Sequence, residues 1–191
     1  MGISAAALAM MRATVAGFFD LTSSVLTRTV VPNAAGSQTV SYVVSAVAVP
    51  THVRSKRREP IESEQTGAIS ALKRFDVILQ QGTPISVTSR IAVNSGSSTT
   101  VAAVANSATQ TVVSTVGFVP GCYCYFATAR VFVQVLSVPS LTSLVLASAV
   151  DSTEGETVTA AALYEVLGED SGKSYETKII CDCVRVNDGI I

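Results

Sequence analysis

The chain has 191 residues and a nearly balanced charge, with 13 lysine and arginine residues, 14 aspartate and glutamate residues and a net charge of −1. It is 48% hydrophobic but only 6% aromatic and 14% charged, a composition typical of valine- and alanine-rich β-strands. This composition excludes a charged disordered tail and general binding of polyanions. Residues 141–150, an apolar run broken by serine and threonine, fall short of the roughly 18 residues that a membrane-spanning helix needs.

The first predicted element is an N-terminal helix over residues 4–19. Residues 1–20 are expected to form the N-terminal helical segment that precedes the strands. Ser4 stands where its hydroxyl can cap the first turn of the helix. Apolar residues at helical spacing form one predicted face. They are Leu8, Met11, Val15, Phe18 and Phe19. This face is expected either to pack on the rest of the chain or to dock onto a partner.

Two β-rich segments follow at residues 25–31 and 39–49. The polar segment between them contains Pro32 and Gly36, which predicts a turn and therefore a β-hairpin. Pro50 has no backbone N–H to donate, so the second strand is predicted to end there and a loop to follow.

The predicted loop carries the sharpest charge feature of the chain. Its basic residues are Arg54, Lys56, Arg57 and Arg58, and acidic residues follow at Glu59, Glu62 and Glu64. The basic cluster could contact DNA phosphates or an acidic protein surface, which makes it the candidate interaction site. The alternative is a solvated loop that is neutralised by its own glutamates.

Two further strands are predicted over residues 73–80 and 86–93, separated by a turn at residues 81–84. Together with the preceding hairpin and with residues 163–191, they favour a small β-barrel built from residues 21–94 and 163–191. The predicted fold class is therefore mainly β, with an N-terminal helix.

Residues 95–162 are predicted to form a β-rich subdomain inserted into this barrel. Valine- and leucine-rich segments predict its strands. These segments are residues 99–105, 110–116, 130–136 and 141–149. Polar junctions at residues 95–98 and 151–155 are expected to be flexible.

Four cysteines form two Cys-x-Cys pairs, and on a strand the members of each pair point to one face. They are Cys122 with Cys124 and Cys181 with Cys183. Three states are open: buried free thiols, a four-thiolate zinc site, or two cross-strand disulfides. The one-residue spacing fits a zinc site less well than Cys-x2-4-Cys, and disulfides require neighbouring strands. Free thiols are therefore favoured, and no cofactor is predicted.

No catalytic constellation is apparent, so no enzymatic activity is predicted. Residues 168–174 resemble a phosphate-binding loop, but they are one residue short and lead into a strand-like segment, which favours a hairpin turn. His52 is the only histidine and is expected in a loop. Solvated turns are expected to hold the paired carboxylates. These are Glu154 with Glu156 and Glu169 with Asp170.

The order of the predicted elements forms a recognisable pattern. An N-terminal helix precedes a strand, a glycine turn, a second strand and a charged loop. The matching segments are residues 26–29, 39–49, 75–79, 88–93, 164–168, 174–177 and 184–186. This order resembles that of the head-closure, or stopper, proteins of tailed bacteriophages. The inserted residues 95–162 depart from the family pattern, in which a brief turn joins the two blocks.

The resemblance implies a structural virion protein whose copies form a homo-oligomeric ring in the head–tail neck. The ring would lie between the portal or its adaptor on the head side and the tail terminator or tail tube on the other side. It would retain or conduct DNA, with non-specific DNA contact, and would be assembled in the host cytoplasm without contact to a membrane.

Two alternatives remain open beside this resemblance. Valine- and threonine-rich strands also suit a tail terminator, a tail-tube subunit or a capsid decoration protein. A thiolate-metal binding module would instead require zinc bound by the four cysteines.

Overall fold

The computed structural model describes residues 4–32, 37–56, 74–170 and 177–186. Within these ranges the chain forms a helix and ten strands, which confirms the predicted mainly β fold class with an N-terminal helix. The elements are α1 (Ala5–Ala16), β1 (Leu21–Pro32), β2 (Gln38–Ser55), β3 (Arg74–Gln80), β4 (Arg90–Thr99), β5 (Val104–Thr111), β6 (Tyr123–Phe126), β7 (Val131–Ser140), β8 (Ser143–Ser152), β9 (Thr157–Asp170) and β10 (Lys178–Arg185).

The chain divides into two compact units. Unit 1 comprises Met1–Val93 and Tyr164–Ile191, and unit 2 comprises Asn94–Leu163. These bounds lie within one residue of the barrel and the insertion that the sequence indicates. β4 and β9 each begin in one unit and end in the other.

Unit 1 is a partial ring of antiparallel strands. Its order is β10-β3-β2-β1-β4-β9, and β9 also pairs with β10. The strands show the two-residue period of a pleated sheet, as in β10, where every second side chain from Ile179 to Cys183 is buried. These side chains pack into the core with those of the neighbouring strands. Buried members from the other strands include Val25, Val77, Leu79, Ile91 and Val166.

Unit 2 has a hydrophobic core of its own. Its strands lie in the order β9-β6-β7-β8-β5. Fully buried core residues include Val112, Cys124, Phe126, Val135, Leu144 and Val158. The buried amide of Gln110 donates from Nε2 to the Val150 carbonyl at 3.1 Å and accepts the Ser152 hydroxyl at 2.7 Å, so this polar group is satisfied inside the core.

Helix α1 begins where the sequence predicts. The Ser4 hydroxyl accepts a hydrogen bond from the Ala7 amide at 3.2 Å, which confirms Ser4 as the N-cap. The helix ends at Ala16, three residues before the predicted end, and Gly17 is its C-cap. None of its residues is buried. In the part of the chain that the structure describes, no helix is long and apolar enough to cross a membrane.

Strand β2 does not end at Pro50, so the prediction of a loop there is wrong. Pro50 lies opposite Thr22 of β1, and β2 continues to Ser55. The pairing of β2 with β3 starts only at Thr51. The missing N–H of Pro50 therefore costs no bond in the β2–β3 ladder, which explains why the strand tolerates it.

The predicted bounds within and around unit 2 need correction. Residues 86–89 form a turn rather than a strand, because the Ser89 amide donates to the Ser86 carbonyl at 2.9 Å. Residues 99–105 include the turn between β4 and β5, and residues 110–116 run past the end of β5 at Thr111. Val113 and Val116 are exposed in the loop that follows, so their apolar character did not mark a buried strand.

The predicted flexible junction at residues 95–98 is also wrong, because these residues belong to β4. A Cβ atom at Gly96 would lie 2.9 Å from the Val116 carbonyl oxygen. A Cβ atom at Gly117, whose φ is +88°, would lie 2.7 Å from the Ser95 carbonyl oxygen. Glycine is thus required here by a close backbone approach within unit 2.

Candidate interaction surfaces

Two of the four basic residues predicted to interact lie in a charge cluster of unit 1. Arg54, near the end of β2, donates from Nε to Oδ2 of Asp76 in β3 at 2.8 Å, and its Nη2 lies 2.7 Å from the same oxygen. The Lys56 Nζ lies 2.9 Å from Asp76 Oδ1 and 3.1 Å from Oδ1 of Asp182 in β10. Arg74 Nη1 reaches Asp182 Oδ2 at 3.1 Å. The cluster therefore joins three neighbouring strands.

Asp76 is the buried centre of this cluster. Its side chain is 6% exposed, whereas those of Arg54 and Lys56 are 60% and 39% exposed. Burial raises the pKa of the Asp76 carboxyl, but the hydrogen bonds from Lys56 and Arg54 outweigh burial, so the pKa lies below its ordinary value. The bond to Asp76 also raises the pKa of the Lys56 ammonium. Asp76 and Lys56 are therefore both charged at neutral pH.

The cluster lines an open groove of about 400 Å³. Its charged lining residues are Arg54, Lys56, Asp76, Glu169 and Asp182. Two cations against three carboxylates give the groove no surplus of positive charge for a phosphate. Arg54 and Lys56 thus serve first to neutralise Asp76 and Asp182. Arg57 and Arg58, the other two predicted interaction residues, and the glutamates at 59, 62 and 64 lie outside the described residues.

An apolar groove of about 290 Å³ lies beside the end of α1. Its lining includes Phe18, Phe19 and Ile78. His52 also lines this groove. Its Nδ1 lies 2.9 Å from Asp20 Oδ1, and this hydrogen bond lowers the pKa of the Asp20 carboxyl. His52 is part of β2 and pairs with Ile78, so its predicted position in a loop is wrong. The Phe18 side chain, which lines the groove, is largely exposed.

The outer half of the β1–β2 hairpin forms a surface that sequence reasoning missed. β1 pairs with β4 only over Ser23–Leu26, and β2 pairs with β3 only over Thr51–Ser55. Residues 27–32 and 38–43 pair only with each other among the described residues. We call these two segments the β1–β2 arm.

The arm is apolar and largely exposed. Exposed valines lie on both of its strands: Val30, Val31, Val40 and Val43. Tyr42 is half-buried because the guanidinium of Arg90 lies over its ring, 4.1 Å from the ring centroid. The turn residues Pro32 and Gly36 between two β-rich segments predicted the hairpin, but no local signal showed where the hairpin leaves the barrel.

The cysteines are free and buried, as the favoured interpretation had it. Cys122 and Cys124 belong to the core of unit 2, and Cys181 and Cys183 belong to unit 1. No group of three or more cysteine, histidine or acidic side chains within the described ranges could hold a metal, so the four-thiolate alternative has no support there. Burial raises the pKa of Cys124 and of Cys181 to about 12, and it raises that of Cys183 as well.

The remaining candidate residues, in the segment that resembles a phosphate-binding loop and at Glu156, contribute to the fold. β9 and β10 form an antiparallel pair in which Asp170 lies opposite Ile180, as a hairpin requires, while residues 171–176 lie outside the described part. Glu156 is buried, which corrects the expectation of a solvated turn. Its carboxylate accepts the Thr128 amide at 2.6 Å and the Thr153 amide at 3.1 Å.

Neither a protein-family model nor a curated protein sequence matches the chain. Function must therefore be inferred from the fold and from the surfaces described above. Two of these surfaces, the exposed helix α1 and the β1–β2 arm, are apolar and poor in charge. Exposed apolar surface of this kind is typical of protein–protein contacts.

Proposed function

We propose that the protein is a structural subunit of the neck of a tailed-phage virion. Copies would form a ring between the portal or its adaptor on the head side and the tail terminator or tail tube on the other side. The ring would hold the two assemblies together and would help to retain or conduct the DNA. Its site of action would be the virion, after assembly in the host cytoplasm.

The observation that carries this proposal is the way in which unit 1 presents its apolar surface. A partial ring of strands carries a helix without a single buried residue and a two-stranded arm with four exposed valines. Such features add nothing to the core of a lone chain, whereas they suit a subunit that is covered by neighbours on more than one side. The order of the helix and the barrel strands is also the order that suggested the head-closure resemblance, from which the inserted residues 95–162 depart.

The chemistry of the site favours a mechanical role over catalysis. A thiol with a pKa of about 12, as in Cys124 and Cys181, is protonated at neutral pH and is therefore a poor nucleophile. The Arg54 and Lys56 side chains are engaged by Asp76 and Asp182. Contact with DNA or with an acidic neighbour would then fall to Arg57 and Arg58, which the sequence places directly after this cluster.

Particle assembly without the chain tests the proposal. If the chain closes the neck, its omission leaves DNA-filled heads and finished tails that do not join, and the heads lose DNA on storage. Re-addition of the purified chain restores joining. Formation of complete, infectious particles without the chain would overturn the proposal.

The charge of residues 57 and 58 offers a finer test of the same role. Arg57→Glu with Arg58→Glu is expected to reduce joining while the protein remains folded, because the internal ion pairs of Arg54 and Lys56 are untouched. Arg130→Glu, a charge reversal at an exposed residue of unit 2 between β6 and β7, is the control for a general charge effect. Unchanged joining by the double variant would remove these two arginines from the interface.

A further inference from the structure

The β1–β2 arm has the properties of a strand edge that receives another strand. It contains six residue pairs in continuous register, from Thr27 opposite Val43 to Pro32 opposite Gln38. At roughly 3.3 Å per residue, six residues extend over about 20 Å. A two-stranded ribbon of this length is only marginally stable in water without further partners. A ribbon of this length therefore gains stability from any further strand that pairs with it.

The β2 side of the arm lacks the features that protect edge strands. Residues 38–43 contain neither a charged residue nor a proline, and the two register shifts of the β1–β2 pair lie outside the arm, between Ser23 and Leu26. Natural edge strands are usually blunted by lysine, proline, bulges or inward-pointing charges. The β1 side carries Arg28 and ends at Pro32. The arm thus has one unprotected edge and one edge that is limited to about five residues by proline.

Other strand edges of the described chain are closed or irregular. In unit 1, β3, β4 and β10 each have a neighbour on both sides. In unit 2, the pairing of β5 is interrupted by two register shifts, and Asn106 has a φ of +46°. The arm therefore has the regular, unpaired strand edge with which a second copy can pair.

Charge is also compatible with pairing between copies. The unprotected β2 edge is uncharged, and the whole chain has a net charge of −1, so two copies meet with little electrostatic repulsion. Backbone N–H and C=O groups along the two edges would supply the hydrogen bonds, and the exposed valines would be covered at the same time.

We propose that the arm of one copy adds as a strand to the arm of a second copy, with the β2 edge of one on the β1 edge of the next. This head-to-tail arrangement uses two different edges, so it can continue around a closed ring, whereas β2-on-β2 pairing would stop at a two-fold dimer. The inference deepens the proposed neck function and depends on it for the ring, while self-association through the arm is tested on its own.

The test compares the full-length protein with two lysine variants by sedimentation velocity over a wide range of concentrations. Val43→Lys places a charge on the arm, where the side chain is 57% exposed. Val87→Lys makes the same change at a 53% exposed site of unit 1 that is not part of either strand of the arm. The wild type and Val87→Lys are expected to form one assembly larger than a dimer. Val43→Lys is expected to weaken it about tenfold or more, because each interface carries the added charge.

Hydrogen exchange gives a second measurement, which reports on the arm directly. Backbone amides of residues 38–43 in the wild type are expected to gain protection as concentration rises and to lose it in Val43→Lys. A monomer at all concentrations, equal assembly by Val43→Lys, or unprotected arm amides within the assembly would overturn the inference. A mass that stops at two copies would overturn the head-to-tail arrangement.

The outcomes separate this inference from the proposed function. A chain that assembles through its arm but is missing from virus particles would refute the neck function and leave the arm contact standing. The chain could instead be present as one ring per particle while its arm amides exchange freely in the purified ring. That result would refute the arm contact and leave the neck function standing.

Discussion

Replacement of Asp76 by asparagine is the sharpest test of how unit 1 is held together. The carboxylate is 6% exposed and binds Arg54 through two nitrogens, at 2.8 and 2.7 Å, and Lys56 at 2.9 Å. Asparagine has nearly the same shape but no charge, and one of its two polar atoms is a donor that faces a cation. Asp76→Asn therefore removes charge-assisted bonds without opening a cavity.

The cost follows from the strength of these bonds and from the exposure of the partners. A hydrogen bond to a charged group contributes about 1.5–3 kcal/mol, and the loss of one partner from a buried ion pair costs about 3–5 kcal/mol. Arg54 and Lys56 are 60% and 39% exposed, so water compensates them in part. We expect the free energy of unfolding to fall by about 2 kcal/mol, which lowers the midpoint of thermal unfolding by roughly 4–8 °C.

Thermal and urea unfolding of Asp76→Asn and Glu169→Gln measure this effect. Glu169 is an exposed carboxylate that lines the same groove, so its replacement controls for the loss of one negative charge. The Asp76 pKa is lowered in the folded state, so its contribution is present above the ordinary value near 3.9 and is lost as pH falls through the folded-state value. The difference from wild type should therefore persist at pH 7 and close in acid. A difference below about 0.5 kcal/mol at pH 7 would refute the reasoning.

Three further outcomes follow from buried or crowded groups. Gly117→Ala should lower the free energy of unfolding by at least about 2 kcal/mol more than Gly155→Ala. Of these two glycines, Gly117 alone has backbone atoms within 3 Å of the added carbon. Equal urea midpoints for the two variants would contradict the close approach. Iodoacetamide at pH 8 should alkylate Cys124 and Cys181 far more slowly in the folded chain than in urea, since both thiols are buried and protonated; fast native labelling by peptide mapping would contradict this. Glu156→Gln should cost about 2 kcal/mol in urea unfolding, because two amides lose a charged acceptor, and a neutral effect would show that the carboxylate is not needed.

Features that depend on nearby residues could be predicted from the sequence. The Ser4 cap, the hairpin of β1 and β2 and the buried face shared by Cys181 and Cys183 each follow from spacing over a few positions. The division into barrel and insertion also appears in the sequence, as a change from charged segments to a stretch poor in charge.

Features that depend on distant residues could not be predicted. Asp182 is 126 residues from Lys56, and only the neighbouring positions of β2, β3 and β10 bring the two together. The tolerance of Pro50 depends on where the β3 ladder starts. The exposure of Val113 depends on the turn that follows β5. In each case the local residue types are compatible with two environments, and tertiary pairing selects one.

The copy number and location of the chain in virus particles test the proposed neck function most directly. Quantitative peptide mass spectrometry can compare DNA-filled tailless heads, isolated tails and complete virions. We predict one ring's worth of copies on heads that are ready for joining and the same number in complete virions. Copy numbers that scale with the capsid surface or the tail length would indicate a decoration or tube protein, and absence from every particle would contradict a virion function.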